Sequence, residues 1–184
     1  MTESATLIIF GAAGNLSRIK LIPALYHLEA AGLLDEPLKI ICCGRKAFSL
    51  DLWLAEVEKS VRKFSRDEWN DKVFKRFCDR IGYFVGDYSE METFRNLKEM
   101  LEQGYPPNHA FYLSLPPSFY VQVVQSLGKN DMLKEHKNWR RVVIEKPFGR
   151  DLESAVSLQK MLQKHLSEQQ TYRIDHYMGK AMVQ

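Results

Sequence analysis

The chain has 184 residues, 45% of them hydrophobic and 27% charged, and a formal net charge of +3. The length suits one globular domain, and so small a charge, spread along the chain, excludes a dedicated nucleic-acid-binding surface. The sequence has no apolar run of transmembrane length and no signal-peptide pattern of a basic segment followed by an apolar one near its start. We therefore expect a cytoplasmic protein with neither membrane nor nucleic acid as a partner.

In chain order, runs rich in β-branched and aromatic residues predict strands at 6–10, 38–43, 81–85, 110–115 and 141–145, with a short extended piece at 172–174. Helical patterns lie between them, at 16–31, 51–64, 68–80, 90–103, 118–128 and 152–169. Pro23 is expected to begin a second part of the first helix, and Gly32 to end it. The alternation predicts an α/β fold, a Rossmann-like, doubly wound and mainly parallel sheet. Ligands of such sheets bind at the carboxyl ends of the strands.

The cysteines and histidines give no metal-binding pattern. Cys42 and Cys43 are adjacent within a predicted strand, and the third cysteine stands apart, so that neither a disulfide framework nor a zinc-ligand spacing is present. The five histidines form no His-x-x-x-His pair. We expect no metal site, and a reducing environment fits this cysteine usage.

A glycine turn follows the first predicted strand. Gly11 and Gly14 come directly after it, and a helical pattern begins near Asn15. A strand that runs into a glycine-rich turn and then a helix start is how α/β proteins hold a phosphate, because the backbone approaches the anion closely and the helix N-terminus attracts it. The spacing lacks the full Gly-x-Gly-x-x-Gly of dinucleotide sites, so a plain strand-to-helix connection stays an alternative.

The second predicted strand ends in Gly44, Arg45 and Lys46. Proteins that prefer NAD usually carry an acidic residue there for the ribose 2′-hydroxyl, whereas an arginine suits the 2′-phosphate of NADP. Arg45 therefore favours NADP. An arginine that is merely solvated at a strand end is the alternative interpretation.

Further polar residues follow or lie near the ends of the third to fifth predicted strands. Asp87 and Tyr88 follow the third, where adenine or ribose would lie. Tyr112, in the fourth, faces either the cofactor or the core. Glu145 and Lys146 follow an apolar run in the fifth, and charges at such a position are costly unless a ligand or partner uses them. Lys146 is therefore a candidate for contact with a substrate, with a surface salt bridge as the alternative.

Residues 172–180 form a polar patch dense in hydrogen-bond donors. His176, Tyr177 and Lys180 together suit a phosphate group, since the lysine is a point charge and the other two donate directionally. Asp175 is an acceptor suited to orienting a histidine from elsewhere. A hydrogen-bonded surface network is the alternative interpretation of the same residues.

With these residues together, the chain resembles the amino-terminal, coenzyme-binding part of the glucose-6-phosphate dehydrogenase family. The resemblance runs over the whole length. It depends on Gly-Ala-Ala-Gly-Asn-Leu at 11–16, on Gly44 and Arg45, and on the segments at 20–26, 111–117, 145–154 and 172–180. The last two segments are long and distinctive, and they occur in the expected order.

The resemblance implies oxidation of glucose 6-phosphate to 6-phosphogluconolactone with NADP as hydride acceptor, the first step of the pentose phosphate pathway. It implies that Tyr112 lies along the cofactor and that Arg45 binds the 2′-phosphate. It also implies that the pyrophosphate is bound by Gly11, Ala12, Ala13, Gly14, Asn15, Leu16, Ser17 and Arg18. Lys146 would touch both cofactor and substrate near the reacting carbon. The sugar phosphate would be bound by His176, Tyr177 and Lys180, and Asp175 would orient the catalytic histidine.

Three departures from the family pattern shape the expectation. Asn15 stands where the family usually has aspartate, and Ala13 replaces a common hydroxyl residue, so we expect weaker cofactor binding. The general base of the family belongs to a β+α domain that follows the motif around His176. We therefore interpret residues 1–184 as one NADP-binding domain that ends where that domain would begin, and the chain as a partial enzyme. Homo-oligomers of the family form mainly through that later part.

Two alternatives to an active enzyme stay open. One is a non-catalytic module that binds NADP(H) or pairs with an intact dehydrogenase. The other is an unstable remnant that lacks the catalytic base and exposes apolar surface around the fifth strand and the C-terminus.

Overall fold

The computed structural model describes residues 3–34, 38–146, 148 and 152–174. Across these residues the strands are β1 Ala5–Phe10, β2 Leu38–Gly44, β3 Ile81–Val85, β4 Asn108–Leu113, β5 Arg140–Glu145 and β6 Thr171–Ile174. The α-helices are α1 Ile22–Ala30, α2 Leu50–Phe64, α3 Asp71–Cys78, α4 Met91–Gly104, α5 Tyr120–Lys129 and α6 Leu152–Leu162.

The strands form a single sheet in the order β3-β2-β1-β4-β5-β6, and each neighbouring pair is parallel. The order reverses between β2-β1 and β4, which is the crevice where dinucleotides bind in doubly wound folds. At the carboxyl ends of the three central strands, Phe10 of β1 pairs in register with Cys43 of β2 and with Leu113 of β4. These three strands therefore end at the same level. The predicted Rossmann-like α/β fold is confirmed.

Helices cover both faces of the sheet. One core cluster joins the first half of the sheet to α1, α2 and α3, with Tyr26, Trp53 and Phe77 fully buried. The other cluster lies under α4, α5 and α6, with Phe94 and Tyr120 among its members. The central strands β1, β2 and β4 are mostly buried, and because helices cover them from both sides, their sequences are largely continuous apolar runs rather than alternating ones.

The first helix differs from the prediction in its geometry. Residues Ser17–Leu21 form a π-helical turn, and the N–H of Ile22 bonds to the carbonyl of Ser17. Pro23 has no N–H and cannot continue the α-helical ladder into the preceding turn, which favours this local widening. The second part begins close to Pro23 as expected, and Gly32 follows α1 with a φ of 68°.

Two predicted helix boundaries are wrong, the start of one helix and the end of another. The predicted helix over 68–80 begins only at Asp71, because Asn70 accepts from the N–H groups of Lys72 and Val73 and caps it there. The predicted helix over 152–169 ends at Leu162. The chain then turns so that Leu166 enters the core, and a capping box at Ser167 starts a short 3-10 turn that leads into β6.

No helix in the described part of the chain has both the length and the apolar character needed to cross a bilayer.

Candidate functional site

The glycine turn lies where the first strand meets the crevice. Gly11 has a φ of 80°, and a Cβ at this position would lie 2.3 Å from the backbone oxygen of Ser114 and 2.8 Å from Cδ2 of Leu115. The chain can therefore turn here only with glycine. The first glycine of the predicted phosphate-binding turn is thus required by the geometry of the fold.

The backbone of the turn is partly satisfied from within and partly open. The N–H groups of Gly11 and Ala12 both donate to the carbonyl of Cys43, and that of Gly14 donates to the carbonyl of Gly11. Within the described residues, the N–H groups of Ala13 and Asn15 have no hydrogen-bond acceptor, and both residues are exposed. Two open N–H groups at a helix start form a place for an anion.

The remaining predicted residues of the turn are placed differently from one another. Ala12 is buried and Leu16 is partly buried. Ser17 is fully buried, and its hydroxyl donates to the hydroxyl of Ser114 at 2.8 Å, so that it faces the protein rather than the crevice. Arg18 is 42% exposed and lies 3.8 Å from the carboxylate of Glu56.

Arg45 and Asp87 follow neighbouring strands at the same edge. Arg45 is exposed directly after β2. The pKa of Asp87 is lowered chiefly by hydrogen bonds from the backbone and hydroxyl of Ser89, and the positive charge of Arg45 adds to this effect. An arginine and a carboxylate thus flank the entrance to the crevice on the side of β2 and β3.

Tyr88 lies beneath the glycine turn. Its hydroxyl donates to the carbonyl of Cys43 at 2.8 Å and accepts from the N–H of Gly11 at 3.0 Å. The residue is 5% exposed, and burial raises the pKa of its hydroxyl. Its ring packs edge-on against Phe10, with the ring centroids 5.3 Å apart.

Tyr112 and Glu145 meet between β4 and β5. The hydroxyl of Tyr112 donates to Oε1 of Glu145, and that of Tyr120 donates to the backbone oxygen of Glu145 at 3.3 Å. Glu145 is 3% exposed. Burial and the bond to Glu145 raise the pKa of Tyr112. Tyr112 therefore belongs to a buried polar pair at the end of β5.

Lys146 follows this buried pair and is exposed. It lies one residue beyond Glu145, which is paired in register with Ile174 of β6. Asp175, His176, Tyr177 and Lys180 lie outside the described residues.

Two residues at the carboxyl edge, Ser114 and Glu145, were not among the site residues predicted from the sequence. The carbonyl of Ser114 lies against Gly11, and its hydroxyl accepts a hydrogen bond from Ser17. A serine two residues before a pair of prolines gives no sequence signal of either contact. Glu145 did give a signal, since a carboxylate directly after an apolar run is costly without partners.

Other hollows lie away from this edge. A hollow of about 460 Å³ at the amino edge is lined by residues that include Glu3 and Arg141. Another, of about 320 Å³, lies between α1 and the end of α2, with Lys20 and Asp67 in its lining. Parallel sheets bind ligands at their carboxyl edge, so we place the candidate site at the glycine turn. Among the described residues, no three His, Cys, Asp or Glu side chains gather as metal ligands.

The comparison with known families decides the assignment. Residues 8–184 match the family model described as glucose-6-phosphate dehydrogenase, NAD binding domain. The chain belongs to the glucose-6-phosphate dehydrogenase family. The resemblance found in the sequence motifs is thereby confirmed.

Individual glucose-6-phosphate dehydrogenases are similar to this chain in both sequence and structure. The chain is similar to glucose-6-phosphate 1-dehydrogenase of Chlamydia pneumoniae, with 38% identity over 187 residues that cover 97% of this chain and 36% of that protein. The crystal structure of the Mycobacterium avium glucose-6-phosphate 1-dehydrogenase superposes with a TM-score of 0.86 at 34% identity, covering 97% of this chain and 37% of that one. A glucose-6-phosphate dehydrogenase solved with its substrate glucose 6-phosphate gives a TM-score of 0.85 at 35% identity, covering 98% and 38%.

The chain therefore spans little more than a third of the length of these glucose-6-phosphate dehydrogenases, 36 to 38%. The matched third is the part that carries the Rossmann-like sheet and its glycine turn. The family model names NAD, a nicotinamide dinucleotide, and this agrees with an anion-binding turn at the crevice of the sheet.

Proposed function

We propose that this chain is the NADP-binding domain, residues 1–184, of a glucose-6-phosphate dehydrogenase that oxidises glucose 6-phosphate to 6-phosphogluconolactone. The observation that carries the proposal is the meeting of three features at one edge of the sheet. These are the open N–H groups of Ala13 and Asn15, the exposed guanidinium of Arg45, and Lys146 after β5.

The glycine turn fits the pyrophosphate of a dinucleotide. Gly11 leaves no room for a side chain, so the backbone itself faces the crevice. In this proposal Gly11, Ala12, Ala13, Gly14, Asn15 and Leu16 line the pyrophosphate, and Arg18 adds a positive charge. Ser17 and Tyr88 act from the buried side.

Arg45 fits the 2′-phosphate that distinguishes NADP from NAD. No carboxylate directly follows β2, where a protein selective for NAD usually binds the ribose hydroxyl. Asp87, on the neighbouring strand end, is engaged by Ser89 and lies within the field of Arg45. We infer that Asp87 contacts the adenosine and that Arg45 binds the 2′-phosphate as a planar donor.

The reaction would take place at the ends of β4, β5 and β6. When bound, the nicotinamide ring supplies the hydride acceptor. Lys146 would hold cofactor and sugar together near the reacting carbon, with Tyr112 along the cofactor. His176, Tyr177 and Lys180 would bind the sugar phosphate, and Asp175 would orient the histidine that removes the proton from the sugar hydroxyl.

A second candidate function is NADP binding without turnover. Each described histidine lies away from the carboxyl ends of the strands: His27 is in α1, His109 is at the amino end of β4, His136 precedes β5 and His165 follows α6. None of them can serve as the base beside Lys146. We therefore expect the 184-residue chain to bind NADP and, by itself, to reduce none with glucose 6-phosphate.

Calorimetric titration of the chain with NADP and NAD tests the cofactor assignment. Arg45→Ala should weaken NADP binding about 10- to 150-fold, the loss expected for one charge-assisted hydrogen bond, and should leave NAD binding unchanged. The matched control is Arg66→Ala, an exposed arginine in the loop after α2, which should change neither. Equal affinity of the unaltered chain for the two cofactors would contradict the role of Arg45.

The dehydrogenase assignment is tested by joining the chain to the downstream part of a family member. The joined protein should reduce NADP when glucose 6-phosphate is added, and Lys146→Ala should lower kcat. Absence of NADPH formation by a folded joined protein that binds NADP would favour the non-catalytic alternative.

A further inference from the structure

We propose that the glycine turn is held in its phosphate-binding shape by a hydroxyl brace, consisting of Tyr88 on one side and the pair Ser17 and Ser114 on the other. The three are positioning residues: they act on the pyrophosphate through the turn. The inference deepens the proposed function, on which it rests.

Tyr88 supports the turn from the side of β2. Its hydroxyl links the carbonyl of Cys43 to the N–H of Gly11, at 2.8 and 3.0 Å. The carbonyl of Cys43 also accepts from the N–H groups of Gly11 and Ala12, at 3.1 and 3.0 Å. The Tyr88 hydroxyl therefore fixes the first residue of the turn against the end of β2, while the direct backbone bonds would survive its removal.

Ser114 supports the turn from the side of β4. Its N–H donates to the carbonyl of Phe10 at 3.0 Å, and its own carbonyl occupies the space that a Cβ of Gly11 would need. Its hydroxyl accepts from that of Ser17 at 2.8 Å, and both residues are buried. The Ser17 side chain comes from the first turn after Asn15, so this pair fixes the helix start relative to the end of β4.

The brace thus sets the direction of the open N–H groups. The turn between Gly11 and Ser17 is held at its first residue by Tyr88 and at its last by Ser114. The N–H groups of Ala13 and Asn15 lie between these two fixed points. A site whose donors are already aimed at the anion binds it more tightly, because less ordering accompanies binding.

The experiment uses Tyr88→Phe, Ser17→Ala, Ser114→Ala and the double variant Ser17→Ala with Ser114→Ala in the 184-residue chain. Each is titrated with NADP and with adenosine 2′-monophosphate, and its Tm is measured. Adenosine 2′-monophosphate has no pyrophosphate and would be held through Arg45. Each variant should raise the Kd of NADP about 3- to 10-fold, the range of one hydrogen bond, and leave the Kd of adenosine 2′-monophosphate unchanged.

The double variant separates positioning from stability. A single serine-to-alanine change leaves the other buried hydroxyl without its partner, whereas the double change removes both. The Tm of the double variant should therefore be higher than the sum of the two single changes predicts, while its affinity for NADP stays reduced. Ser126→Ala, a buried serine in α5, is the control and should leave both affinities unchanged.

The outcomes are distinguishable. Unaltered NADP affinity in Tyr88→Phe and Ser114→Ala would overturn the brace while the proposed function stands. Parallel losses for NADP and adenosine 2′-monophosphate would also overturn it, since they indicate general damage rather than a misplaced turn. A chain that binds neither ligand before any substitution would overturn the proposed function and the brace with it.

Discussion

The cations at the two edges of the sheet differ in their surroundings. At the amino edge, Glu29 is 2% exposed and both of its carboxylate oxygens accept from arginines, Oε1 from Arg76 and Oε2 from Arg80 at 2.7 Å. At the carboxyl edge, Arg45 and Lys146 are exposed. A buried carboxylate bonded to arginines of a neighbouring segment holds the two segments together, whereas exposed cations at the edge that carries the glycine turn are accessible to a ligand.

The same contrast holds for two glycines with positive φ. Gly11, at the carboxyl edge, is enclosed by the backbone of Ser114. Gly32 follows α1, and beyond its own chain neighbours no atom of the described residues lies within 4 Å of the position its Cβ would take. Substitution of each tests which edge carries the site.

Gly11→Ala should have the largest effect on function. The added Cβ cannot fit without moving the turn, so NADP affinity should fall by about 1,000-fold or more, roughly 4 kcal/mol. Gly32→Ala is the matched control: only the left-handed backbone is strained, at about 1–2 kcal/mol of unfolding free energy, and NADP affinity should stay unchanged. Calorimetry and urea unfolding measure the two quantities. Loss of NADP binding in Gly32→Ala as well would remove the distinction between the edges.

Glu29→Gln should lower the stability of the fold rather than its affinity for NADP. It removes the charge that pairs with Arg76 and Arg80, and loss of one partner of a buried ion pair costs about 3–5 kcal/mol. Glu92→Gln, in an exposed pair with Arg95 at 3.0 Å, should cost less than about 1 kcal/mol. Chemical unfolding measures both. Unfolding free energies that differ little between the two variants would show that the buried ion cluster does not stabilise the amino edge.

His109 gives the amino edge a pH dependence. It is 6% exposed, and burial, with the nearby charge of Arg140, lowers the pKa of its imidazole from 6.5 to about 4. As pH falls from 6.5 towards 4, the unfolded chain binds a proton that the folded chain does not. Stability is therefore fully present above pH 6.5 and falls below it, by up to about 3 kcal/mol.

Urea unfolding at pH 7.5 and pH 4.5 measures this effect. The difference in unfolding free energy between pH 7.5 and pH 4.5 should be about 2–3 kcal/mol smaller in His109→Asn than in the unaltered chain. A His109→Asn variant that keeps the full pH dependence would contradict the assignment.

The sequence by itself determined the class of fold and the place of the turn. Runs of β-branched residues that alternate with helical patterns give parallel strands covered on both faces, and the structure has strands at all six predicted places in its described part. Gly11 was identifiable because a buried strand runs directly into it. The sequence also placed Arg45 directly after the second strand, where such folds bind the adenosine ribose, and its contact with the 2′-phosphate stays a prediction. The motifs also identified the family, which the family model confirms.

Only the tertiary structure decided which way the polar side chains face. Ser17, Tyr88 and Tyr112 were grouped with the cofactor residues by their positions along the chain. In the structure their hydroxyls bond to Ser114, Cys43 and Glu145, which are 97, 45 and 33 residues away. These partners meet because the sheet places β1 between β2 and β4, and β5 beside β4. Local sequence carries the period of a strand or helix, but the partner of a buried hydroxyl depends on contacts between distant segments.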